Sequence, residues 1–181
     1  MRRSDKAAVR FALALLAVVL AAVLLYVTGW ATMAKNIAVL AWRGNAMTSL
    51  AKRTPFTPSP GAGVAEARLE VYLAVCGRIK PFGDRIDDWE DAQTASGRRL
   101  AFKGRAAGLV ESYLREFNLA LDQQRMGPAE FAWIEGRMRQ AREAASIVPE
   151  SDRVLYTKYR ARLAASALGT HASRIALGFA Q

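Results

Sequence analysis

Charged residues are absent from one stretch of the chain and regularly spaced through the rest. From Phe11 to Ala34, FALALLAVVLAAVLLYVTGWATMA, there is no Asp, Glu, Lys or Arg. A bilayer's hydrocarbon core is about 30 Å thick and a helix rises about 1.5 Å per residue, so roughly 20 apolar residues suffice to cross it. The pattern predicts a transmembrane helix over 11–34. A cleaved signal peptide has an apolar core of only about 7–15 residues, so the run reads as a retained anchor, although Gly29-Trp30-Ala31 has the small-x-small form of a cleavage site. Small residues recur four apart in Ala8/Ala12 and Ala17/Ala21. This spacing suits close helix contact in lipid, against the plainer reading of alanines that merely face lipid. Tyr26 and Trp30 fall where interfacial aromatics belong.

Beyond the span the periodicity becomes helical and amphipathic. In 35–53, Ile37, Leu40, Ala41, Met47 and Leu50 form an imperfect stripe beside Trp42. It predicts a juxtamembrane helix on the headgroups, with Trp42 as a third interfacial anchor, or one packed on a partner subunit. Residues 54–63, TPFTPSPGAG, combine three prolines with two glycines. Prolines lack an amide donor and restrict the residue before them, so this is an extended linker.

The remaining 64–181 read as a helical domain. Leu69, Tyr72, Leu73, Cys76 and Ile79 follow spacings of three and four, and Pro81-Phe82-Gly83 is expected to break or kink that helix. A short helix follows from Asp84 to about Ser96. The strongest stripe runs over 98–124, where Gly104 and Gly108 suggest close approach by a neighbour. Pro128 suits a helix start, and Phe131, Ile134, Met138, Ala141 and Ala145 continue from it until Val148-Pro149. Ser151 or Asp152 is a candidate cap for a helix carrying Leu155, Tyr159 and Leu163 and ending at Gly169. Ile175, Leu177 and Phe179 suggest a docked tail. No stretch alternates apolar and polar residues over a strand's length. The expected class is all-α: one N-terminal transmembrane helix and a small bundle of four to five helices.

Charge adds an orientation. Arg2, Arg3, Lys6 and Arg10 crowd the basic tail 1–10, whereas Lys35, Arg43, Lys52 and Arg53 are spread out. Basic residues near span ends stay on the cytoplasmic side, which predicts a cytoplasmic N-terminus and a translocated, periplasmic or extracytoplasmic domain. The chain carries +10, but its basic residues are interspersed with acids along presumed helices. That suits a solvated surface, lipid headgroups or an acidic partner. No nucleic-acid-binding motif is present.

Chemistry is sparse. Cys76 is the sole cysteine and His171 the sole histidine, too few for a recognisable zinc site. Nucleophile-elbow, Walker and dinucleotide signatures are absent. The reading is of a non-enzyme with no catalytic residue, metal or cofactor. Asp84, Asp87, Asp88 and Asp91 share one helical face by their spacing. They are candidates for partner contact, against a face neutralised within the domain. The expected function is a membrane-anchored accessory or scaffold subunit of a larger membrane complex (energy-transducing, transport or envelope), acting on other subunits by contact. The alternative is an anchored helical module for a lipid or other apolar ligand, with Trp89, Phe102, Trp133 and Tyr156 as pocket residues.

Overall fold

A 31-residue helix, Glu66–Ser96, organises the tertiary structure, and four of its neighbours pack on it. The computed structural model describes residues 18–20, 23, 38, 41–96, 105–143 and 148–180. The chain divides into two units, Met1–Ala38 and Val39–Gln181. In the first, the described residues 18–20, 23 and 38 are helical. The predicted span 11–34, with Tyr26, Trp30 and the alanines Ala8, Ala12, Ala17 and Ala21, otherwise lies outside the described residues. Among those described, no helix is long and apolar enough to cross a membrane.

In the second unit the described residues are all-α. Helix α1 covers 41–53; α2 is Glu66–Ser96, α3 Arg105–Gln123, α4 Pro128–Arg142, α5 Glu150–Ser166 and α6 Thr170–Ala180. α2 touches α3, α4, α5 and α6, and α4 also touches α5 and α6. At the centre a chain of rings ties three helices together. Tyr72 of α2 lies 5.0 Å from Phe131 of α4, which meets Phe117 of α3 edge-on at 4.9 Å, and Phe117 continues to Tyr113 at 6.2 Å.

Pro81 does not end a helix: α2 runs through it. Pro81 and Gly77, whose carbonyl loses its donor, are both exposed, so water can serve that carbonyl. Cys76 and Ile79 before the proline and Ile86 after it are buried in one core, which keeps the two halves in register. Gly83 admits a neighbour instead of breaking the helix, since a Cβ there would stand 2.9 Å from the Cβ of Ala172 on α6. Gly108, expected to admit a neighbouring helix, is exposed with open space beside it. Gly104, Phe102 and Ala145 lie outside the described residues.

Met47 and Leu50 of α1 belong to the same core as α2–α6, so that end of the predicted stripe packs on the domain; Ala41 is exposed, and Ile37 and Leu40 lie outside the described residues. The proline-rich segment is strapped down. Ser59 to Ala62 form a turn with Pro60 at the second position and Gly61 at φ 73°, closed by the Ala62 N–H on Ser59 O at 3.0 Å; this order is that of a type II turn. Phe56 meets the Trp133 ring at 5.4 Å, tilted by 51°. The Ala62 carbonyl accepts from Arg137 at 3.0 Å, and the Val64 N–H donates to Asp152 Oδ1 at 2.7 Å.

Asp152 therefore does not cap α5, whose N-cap is Pro149. Its side chain is fully buried, with Oδ2 2.9 Å from Arg137 Nε, an ion-pair contact without hydrogen-bond alignment.

Candidate functional site

Helical spacing builds an open cleft between α4 and α5. Glu135, Met138, Arg139 and Arg142 line one wall, and Tyr156, Arg160, Leu163 and Ala164 the other; Ala167 and Leu168 close one end. Intervals of three and four residues put each set on one face of its helix. The cleft volume is about 240 Å³.

Tyr72 reaches the cleft from α2 and donates its hydroxyl to the Glu135 carboxylate. Burial, followed by the neighbouring Cys76 and Glu135, holds the Tyr72 hydroxyl well above the usual phenol range. Burial also pushes the Cys76 thiol up to about 12, so both groups are protonated near neutrality. Cys76 is a packed side chain and not a reactive one.

The charges around the cleft differ from those on the neighbouring faces. On the α2–α4 side Arg68 grips Glu130 with two bonds of 2.6 Å. On the α2–α5 side Arg162 takes Glu70 at 2.7 and 2.6 Å, while Lys158 and Tyr159 both reach Glu66 at 2.6 Å. Those bonds hold the Glu66 and Glu70 carboxyls below the usual range: Lys158 then Tyr159 for the first, Arg162 then Tyr159 for the second. By contrast, Arg139 and Arg160 have no ion pair among the described residues, and Arg142 has a loose 3.8 Å contact with adjacent Glu143. Three guanidinium groups thus face one carboxylate, Glu135, already met by Tyr72.

Two of the four aspartates are engaged within the domain. Asp84 pairs with Lys80 at 2.8 Å. Asp87 accepts the His171 N–H at 2.9 Å, placing a carboxylate at the start of α6, where the helix dipole favours it. Asp88 and Asp91 are exposed. Among the described residues no three potential metal ligands converge. Of the expected pocket aromatics, Tyr156 lines the cleft. Trp133 packs on Phe56 with the Arg137 guanidinium 5.8 Å from its ring, Trp89 is on α2 outside the lining, and Phe102 is outside the described residues. Trp42 is 59% exposed with the Arg43 guanidinium 4.3 Å over its ring.

The sequence reading missed Arg139, Arg142 and Arg160. Each borders an apolar stripe, which marks the flank of a cleft as readily as an ordinary solvated edge. Comparison of the chain with family models, with curated proteins and with solved structures finds no match.

Proposed function

We propose that the protein is a single-pass, membrane-anchored accessory subunit whose helical domain works by contact within a larger membrane complex, its N-terminus cytoplasmic and its domain translocated. The uncharged run 11–34 supplies the anchor. The observation that carries the reading is Trp42, exposed and overlaid by Arg43 at the head of the domain. Trp and Arg are enriched at protein interfaces and in their energetic centres, and Trp also suits the headgroup layer. Extraction in an uncharged detergent should release the protein in a complex of fixed stoichiometry, and Trp42→Ala should weaken that complex. Recovery only as a free monomer would oppose the proposal. A protease added from outside spheroplasts should digest the domain but spare the N-terminal tail.

The cleft supports a second reading, an anchored module that holds an apolar ligand, because a space of about 240 Å³ lies between two helices. Mass spectrometry of the purified protein tests it: a defined small amphipath should remain bound after the bulk lipid is exchanged.

A further inference from the structure

We propose that the α4–α5 cleft binds the head end of an anionic single-chain lipid, its carboxylate or phosphate held by Arg139, Arg142 and Arg160 and the first part of its chain lying on Met138, Leu163 and Leu168. The inference rests on the second reading above, that the cleft is a binding site. Guanidinium groups are planar, permanently charged forks that match carboxylate and phosphate oxygens two at a time. Here three of them border one opening, two from α4 and one from α5. On the two adjoining faces arginines are paired with glutamates, as in Arg68–Glu130 and Arg162–Glu70. Among the described residues that line the cleft, the one acid is Glu135, whose carboxylate takes the Tyr72 hydroxyl. Three guanidinium groups thus outnumber the nearby carboxylates, Glu135 in the lining and Glu143 at 3.8 Å from Arg142, and Met138, Leu163 and Leu168 supply apolar surface beside them.

Size narrows the occupant. Sites for drug-sized ligands hold about 300–1,000 Å³, and 240 Å³ falls below that. The cleft accommodates a headgroup and the start of one chain, with the rest of the chain extending through the open side; a two-chain lipid would leave most of its apolar area in water. An anchor in the bilayer would keep the domain beside a reservoir of such molecules.

The test uses the full-length chain in phosphatidylcholine nanodiscs, titrated with carboxyl-labelled oleate and read by the shift of the carboxyl carbon resonance. The expected result is saturable binding of one oleate per chain. Replacing Arg139, Arg142 and Arg160 together by Gln should weaken it at least tenfold. A matched loss of charge at exposed Lys52, Arg85 and Arg174 should change it less than twofold. Ala164→Trp keeps every arginine but fills the cleft, and should also weaken binding at least tenfold. Oleyl alcohol, which lacks the charge, should bind at least tenfold more weakly than oleate. Circular dichroism confirms that each variant is folded.

Oleate binding indifferent to both the triple variant and Ala164→Trp would overturn the proposal. If oleyl alcohol matched oleate and Ala164→Trp abolished both, the anion proposal would fall while the binding-module reading stood. If neither ligand bound saturably, both would fall. Binding of a glutamate-rich peptide that needed the three arginines, with no oleate binding, would replace the lipid by an acidic protein partner.

Discussion

Arg125 has a positive φ of 49° at the end of α3. The Met126 N–H bonds to Leu121 O at 3.0 Å and the Arg125 N–H to Asp122 O at 3.1 Å, the paired closure of a Schellman cap, which favours glycine in the left-handed position. An L-residue there costs roughly 1–2 kcal/mol. Arg125→Gly should stabilise the protein by about 1 kcal/mol, read as a higher denaturant midpoint; no gain would contradict the cap. Asp152 is a larger lever because its charge is fully buried and holds both Arg137 and the Val64 amide. Removing one partner of a buried ion pair costs about 3–5 kcal/mol, so Asp152→Ala should destabilise by that amount. A paired Asp152→Leu, Arg137→Met variant should cost less than the sum of the two single changes. Additive losses would show that the two charges act independently.

At the scale of elements, α2 carries opposite effects within three residues. Pro81 is exposed and removes one helical hydrogen bond, so Pro81→Ala should stabilise, by up to about 3 kcal/mol. Gly83 sits against Ala172, and Gly83→Val should separate α2 from α6 at a cost of about 1–3 kcal/mol. Thermal unfolding of the two variants should move in opposite directions; a shared direction would mean that the packing around α2 is misjudged. The clamp between α2 and α5 has its own pH response. Glu66 and Glu70 are held below their usual range, so their contribution is present above about pH 4.5 and is lost as pH falls below it. Both are well exposed, and the effect is correspondingly small.

For the whole molecule, the decisive titrations are alkaline. Cys76 is shifted from 9.0 to about 12. Tyr72 and Tyr113 are raised by burial first, and Tyr159 by its bonds to Glu66 and then Glu70. Above pH 9.0 the unfolded chain releases protons that the folded protein retains, so folding loses free energy as pH rises. Stability should be fully present below pH 9 and decline between pH 9.0 and about 12, as a falling urea midpoint. An unchanged midpoint across that range would show that these groups are not buried as described.

The sequence determined the all-helical character of the domain, because spacing of three and four is a local property. It also determined the Pro128 start of α4 and the burial of Leu69, Tyr72, Leu73, Cys76 and Ile79. The uncharged length of 11–34 likewise stands in the sequence alone. Tertiary structure decided what local rules cannot weigh. Pro81 reads as a breaker until the packing on either side holds the helix through it. Residues 54–63 read as a spacer until Arg137 and Asp152, 75 and 88 residues from their partners, hold the backbone of Ala62 and of Val64 just beyond it. The cleft belongs to the same class: Arg139 and Arg160 lie on different helices, and only the packing of α4 against α5 makes their charges act on one space.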